Sequence, residues 1–194
     1  MELGYRKLES SFNKNKKFSK VLELGAGYGE HVHRVNHQYD MYTSTEPDPR
    51  LFDLLSEKMA DRKKVVVAQE NATNLSFPDD YFDRVIACHL LEHLADPQRV
   101  LFEWARICKP GGVLSILLPC DPGLLYQIAR FFPRRQSIRL GLEYDYIMAT
   151  EHVNSIQNLV ALIRYHFEKI DENWSPLNIP LMNLNLFYIC HVTL

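Results

Sequence analysis

The chain has no cysteine pair at C-x-x-C spacing; its four cysteines, Cys88, Cys108, Cys120 and Cys190, stand well apart. Zinc-ribbon and thioredoxin-type patterns are therefore missing, and buried, reduced thiols are the expectation. No apolar run reaches the length of a membrane span. Residues 2–17 are polar and lysine-rich, without the apolar stretch of a signal peptide. The expectations are a cytoplasmic protein and no membrane span. Charge of one sign is also lacking: 22 Lys and Arg face 24 Asp and Glu, a net −2. A domain devoted to nucleic acid is usually basic, so no nucleic-acid partner is expected. There is no internal repeat, low-complexity tract or linker.

What is present suits one soluble domain over residues 1–194, with 46% apolar and 24% charged residues. Residues 1–18 form an N-terminal arm, either a short helix over the ligand or a frayed end. From Lys20 the pattern alternates. Strands are expected at Val21–Leu24, Met41–Thr45, Val65–Ala68, Phe82–Cys88 and Val113–Leu118. Helices are expected at Gly29–His37, after Asp48-Pro49, and after Asp96-Pro97; an Asp followed by Pro is a helix-start signal. Lys109-Pro110-Gly111-Gly112 reads as the stop of the third helix. A helix over Ser155–Tyr165 and strands at Phe167–Asp171 and Leu186–Val192 follow. Strands alternating with helices imply an α/β fold, a mostly parallel sheet covered on both faces. Ligands then bind beyond the carboxyl ends of the strands, where strand order reverses. The glycine turn, Glu46, Asn71 and His89 all follow predicted strand ends, so they should share one crevice.

The glycine turn is the most informative segment: Val21-Leu22-Glu23-Leu24-Gly25-Ala26-Gly27-Tyr28-Gly29. Glycine lets backbone approach a ligand closely. The spacing is G-x-G-x-G, not the dinucleotide G-x-G-x-x-G. Glu23, two places before the first glycine, would be unwelcome beside a pyrophosphate and suits a cationic ligand.

Downstream stand Ser44-Thr45-Glu46-Pro47-Asp48-Pro49, then Asn71-Ala72 through Asp83-Arg84-Val85, then His89-Leu90-Leu91-Glu92-His93-Leu94-Ala95-Asp96-Pro97, then Lys109-Pro110-Gly111-Gly112. In this order the blocks resemble class I S-adenosylmethionine-dependent methyltransferases of the type 11 group, over about residues 18–120. The resemblance implies a doubly wound, seven-stranded sheet with an antiparallel C-terminal hairpin, and S-adenosyl-L-methionine as cofactor. It implies a cofactor site of Glu23, Gly25, Ala26, Gly27, Glu46, Pro47, Asn71, Ala72 and His89. Glu46 would accept hydrogen bonds from ribose hydroxyls, and Asn71, where Asp is more usual, would meet the adenine edge. Glu92-His93 is read mainly as structural.

The acceptor is left to residues 120–153, rich in aromatics and arginines. Arg130, Arg134 and Tyr146 are candidates for holding a small, anionic, phosphorylated or glycan-type acceptor; ion pairs with Glu143, Asp145 and Glu151 are the alternative use of the arginines. His152 is the candidate general base for an oxygen acceptor. His31, His33 and His37 lack accompanying acids or cysteines, so no metal is expected. Two other classes stay open: a non-catalytic S-adenosylmethionine-binding protein of the same fold, and an NAD-dependent oxidoreductase. Oligomeric state is not read from the sequence.

Overall fold

The computed structural model describes residues 1–194. Seven strands form one sheet in the order β3-β2-β1-β4-β5-β7-β6. They are β1 (Lys20–Leu24), β2 (Met41–Thr45), β3 (Val65–Ala68), β4 (Phe82–Cys88), β5 (Cys108–Pro119), β6 (Ile170–Ser175) and β7 (Phe187–Thr193). Strands β1 to β5 pair in parallel, and β7 runs antiparallel to both β5 and β6. Strand order reverses between β1 and β4, which places the ligand crevice at their carboxyl ends.

Alternation along the strands divides the core in two. Leu22, Leu24, Val85, Leu114 and Ile116 pack with Val100, Leu101 and Trp104 of α3 (Pro97–Ile107) and Ile163 of α6 (Ile156–His166). Val21, Tyr42, Ile86, Leu117 and Ile189 pack with Tyr5 and Leu8 of α1 (Glu2–Glu9) and Leu55 and Met59 of α2 (Pro49–Met59). Both predicted helix starts are as expected. Asp48 accepts from the Arg50 and Leu51 amides, Asp96 accepts from the Arg99 amide, and a proline opens each helix.

Three local expectations are corrected. Gly29–His37 is not a helix but a single 3-10 turn at His31–Arg34. The segment is poor in strong helix formers, and only Val32 and Val35 are aliphatic. Helix α1 fills the gap on this face, with Leu8 and Glu9 fully buried, so the arm is an ordered part of the core. The fifth strand, expected from Val113, begins at Cys108 directly after α3 ends at Ile107, so the helix-stopping Lys109-Pro110-Gly111-Gly112 lies inside β5: Phe82 pairs with Cys108 but Arg84 with Val113, and the tetrapeptide bulges out. Strand β6 begins at Ile170 rather than Phe167, and this register buries Trp174 against Tyr188. Between β5 and α6 lies a hairpin of α4 (Leu124–Arg139) and α5 (Tyr144–Glu151), in which no residue is buried.

Candidate active site

The first rim of the crevice is the glycine turn against the end of β2. Gly25, Gly27 and Gly29 all take positive φ, at 61°, 53° and 67°. A side chain is strained there in any case. At Gly29 an added Cβ would also strike Leu55 and Met59 at 2.7 Å, whereas at Gly27 it would meet nothing within 4 Å. Gly27 therefore borders open space. The Ala26 amide donates to the Thr45 carbonyl at 2.8 Å and the Gly27 amide donates to Glu46 Oε2 at 2.9 Å. The Asp48 amide donates to Glu46 Oε1 at 3.2 Å. Glu46 thus stands beside the turn with both oxygens oriented by backbone. Pro47 is exposed next to it. Asn71 is exposed, and its Oδ1 accepts from the Thr73 amide and hydroxyl at 3.0 and 2.8 Å, which leaves its NH₂ as the group for a ligand. Buried Ala72 offers its carbonyl to Trp104 Nε1 at 2.9 Å.

Glu23 does not stand on this rim. It alternates with Leu22 and Leu24, so it points to the α1 face, where it is buried. Tyr42 donates its hydroxyl to Glu23 at 2.8 Å, and His31 Nδ1 lies 3.5 Å away. His31 Nε2 is 3.1 Å from Glu9, and Glu9 meets Arg84 at 2.9 and 3.1 Å. Arg84 donates to Ser115, which lies 3.0 Å from His191 Nδ1. Burial alone would lower the His31 pKa, but hydrogen bonds to Glu23 and Glu9 raise it to about 9. Burial alone would raise that of Glu9, yet Arg84 and His31 hold it well below the carboxylate range. The Glu23 side chain is thus one member of a balanced buried set that braces the turn from beneath. The contacts that Glu23 makes in the structure are those of that support.

The second rim is formed by β4, β5 and the segments after them. His89 sits at φ 52°, a costly conformation for a side-chain-bearing residue. Its ring lies edge-on to Tyr5 and Phe187, and its Nε2 is buried without a partner. Glu92 is 2% exposed, and neither of its oxygens has a hydrogen-bond partner. His93 Nδ1 is 2.8 Å from the Glu151 carbonyl, and His152 Nδ1 is 2.9 Å from Asp121 Oδ2. The hydrogen bond from His152, together with Arg130, holds the Asp121 carboxyl below its usual range. The rings of His93 and His152 meet edge to face at 4.9 Å.

The structure brings His152 to this rim but gives the arginines other work. Arg130 donates to Asp121 at 3.1 Å and to the Tyr144 hydroxyl at 3.0 Å. Arg134 is exposed and paired with Asp145 through both nitrogens. Tyr146 is 67% exposed. Both guanidinium groups are thus paired within the hairpin, the use of the arginines set beside anion binding in the sequence. Three residues of the rim were missed or underrated: Asp121, Glu92 and His93. Asp121 lies just past β5, so the strand-end rule that found His89 also reaches it. The expectation of no metal rested on His31, His33 and His37, whereas ligand-type groups converge at Glu92, His93 and His152. The thiols of Cys108, Cys120 and Cys190 are buried, which pushes each up to about 12, so none is a nucleophile. An apolar hollow of about 380 Å³ lined by Ile156, Val160, Trp174 and Met182 shares no residue with either rim and is not part of the site.

The family described as "Methyltransferase domain" matches residues 22–116, from β1 into β5. A phosphatidylethanolamine N-methyltransferase of Cereibacter sphaeroides is 31% identical over 137 residues, 68% of this chain and 66% of that protein. A chloroplastic 2-methyl-6-phytyl-1,4-hydroquinone methyltransferase of Oryza sativa subsp. japonica is 30% identical over 115 residues, 58% of this chain and 32% of that protein. The chain thus spans 66% and 32% of the length of these relatives, less than two thirds of either. Among solved structures, a SAM-dependent methyltransferase of Thermotoga maritima superposes with a TM-score of 0.66 at 20% identity, covering 98% of this chain and 88% of that one. With the strand order, the positive-φ glycine turn and the acid closing β2, the chain belongs to the class I S-adenosylmethionine-dependent methyltransferase family.

Proposed function

We propose that the chain moves a methyl group from S-adenosylmethionine to an oxygen of a small amphipathic acceptor. The carrying observation is the pairing of the two rims. On one side, open space at Gly27 lies beside an oriented Glu46 carboxylate. On the other, His89 and His152 stand past β4 and β5 with ring nitrogens that no protein group engages. These residues fit the cofactor: Glu46 suits vicinal ribose hydroxyls, and Gly27 gives backbone access without a side chain in the way. When bound, S-adenosylmethionine supplies the electrophilic carbon. The residues of the chain then orient the acceptor, exclude water and receive its proton. His152, fixed by Asp121, is suitably placed for the acceptor side.

The amphipathic acceptor is favoured over an anionic glycan on two grounds. The arginines of α4 are paired within the hairpin. The same hairpin exposes Leu124, Ile128, Phe131 and Phe132, an apolar surface suited to a hydrocarbon tail. Both curated relatives carry names of acceptors with long tails, a phospholipid and a phytyl hydroquinone.

Calorimetry with S-adenosylhomocysteine tests the cofactor half. Glu46→Ala should cost about 1.5–3 kcal/mol, roughly tenfold to 150-fold in affinity; unchanged affinity removes Glu46 from the site. Methyl-labelled cofactor with a lipid extract tests the acceptor half. Label should pass to the organic phase, and label found only in water-soluble glycans overturns the amphipathic assignment.

A further inference from the structure

Glu92 poses a physical problem that methyl transfer does not explain. A carboxylate 2% exposed, with no hydrogen bond to either oxygen, is costly to bury. The basic groups beside it, His89 Nδ1 at 3.6 Å and His93 Nε2 at 3.8 Å, are beyond hydrogen-bond reach. Something of positive charge would satisfy it. His93 and His152, whose ligand-type atoms converge with those of Glu92, are arranged for that purpose. His93 commits Nδ1 to the Glu151 carbonyl, and His152 commits Nδ1 to Asp121. With Nδ1–H donating, each presents the Nε2 lone pair as a ligand atom. An imidazole anchored through one nitrogen by a carboxylate or carbonyl, with the other presented outward, is the usual setting of a metal ligand.

The donor atoms of Glu92, His93 and His152 lie within 4.8 Å of one another. A tetrahedral ion with bonds near 2 Å wants ligand atoms roughly 3.3 Å apart. Small rotations of His93 and His152, whose side chains are 29% and 13% exposed, close that difference. The two segments that bring the ligands are tied together. The Asn154 amide donates to the Glu92 carbonyl at 3.1 Å, and Asn154 Nδ2 donates to the Leu94 carbonyl at 2.7 Å.

We infer that Glu92, His93 and His152 form a binding site for a divalent transition-metal ion. Two imidazoles and one carboxylate suit zinc or cobalt better than magnesium or calcium. Three protein ligands leave a position open, as in sites where the ion does chemistry. The ion's role rests on the methyl-transfer reading; its binding does not. In that role the open position takes the acceptor's hydroxyl and lowers its pKa, so the proton leaves to water. The oxygen then forms its bond to the methyl carbon as the carbon–sulfur bond breaks and its electron pair stays on sulfur. His152 acts there as a ligand rather than as the base.

The test uses the full chain, stripped with a chelator and titrated with Co²⁺ alone. One equivalent should bind, with the visible bands of a four- or five-coordinate site, and Zn²⁺ should displace it. Asp121→Asn should weaken binding about 10–100-fold, and Glu92→Gln and His152→Ala should weaken it further. Metal-free Glu92→Gln should unfold no earlier than the parent, because an amide replaces a buried unpartnered charge. His93→Ala, at a more exposed position, is the second variant should Glu92→Gln fail to fold. Absence of the bands, or bands that persist in the ligand variants, overturns the site. Loss of the site with S-adenosylhomocysteine binding and methyl transfer intact overturns this inference alone. Co²⁺ binding without methyl transfer keeps the site and overturns its role.

Discussion

Beneath the glycine turn, Glu9, Glu23, His31 and Arg84 are all buried, and each charge lies against an opposite one. Across the crevice Glu92 is buried as deeply and meets none within hydrogen-bond reach. Both regions follow strand ends, and both are rich in acids and histidines. They differ in how the carboxylates are held: Glu9 and Glu23 accept hydrogen bonds from Arg84, His31 and Tyr42, whereas Glu92 accepts none, with His89 and His93 standing 3.6 and 3.8 Å away. A closed set holds shape, because every member loses if one leaves. An open set is held in place by the fold for a partner not yet bound. By this contrast the β1–β2 side is the frame for the cofactor, and the β4–β5 side is where a ligand completes the structure.

The largest effect that would break the comparison comes from opening the closed set. Arg84→Ala leaves Glu9 and Glu23 sharing His31 as their one cationic partner, a net negative charge in the core, and should destabilise the fold by about 3–5 kcal/mol. Urea unfolding measures it. Glu92→Gln should show no loss in the same experiment. If the two variants cost the same, the two regions are not physically different and the contrast is lost.

A smaller effect is titration. His31 has a folded pKa of about 9 against an ordinary 6.5. Its contribution is full below 6.5 and is lost as pH rises from 6.5 through 9. The shift corresponds to about 3 kcal/mol over that window. His37 and His191 go the other way. Burial lowers them to about 4 and about 3, so the unfolded chain takes protons that the folded one refuses once pH falls below 6.5. Stability should therefore peak near pH 6.5 and fall on both sides. Unfolding midpoints from pH 4 to 9 test this, and a flat profile above 6.5 means that His31 is not charged in the fold.

Much of the fold was legible in the sequence, and the site less evenly so. Strands β1, β3 and β4 carry short clusters of branched apolar residues (Val21-Leu22, Val65-Val66-Val67 and Val85-Ile86), and their limits agree closely with the structure. Gly25, Gly27 and Glu46 were readable because a turn needing positive φ and an acid closing β2 are local features. Glu23 was placed in the crevice by analogy, while period-two alternation, equally readable, points it away. The partners of the buried set, Glu9 with Arg84 at a separation of 75 residues, have no local signature. The same holds for Glu92 and His152, which meet only because the α4–α5 hairpin folds back to the end of β4.

The smallest effect separates two arginines that look alike in sequence. Arg134 is paired with Asp145, but both side chains are well exposed, so water competes for each group. Arg134→Ala should leave the unfolding midpoint and the affinity for S-adenosylhomocysteine unchanged. Arg130 and Asp121 are both about 85% shielded, and Asp121 is also the group that orients His152. Arg130→Ala should cost about 1 kcal/mol, a charge-assisted bond discounted for partial exposure. Its sharper consequence is at His152. Without Arg130 the Asp121 carboxylate is less firmly held, so the Co²⁺ affinity should fall while cofactor affinity stays constant. Equal behaviour of the two variants would mean that the hairpin is merely a solvated surface, and that the open side of the crevice ends at Glu92.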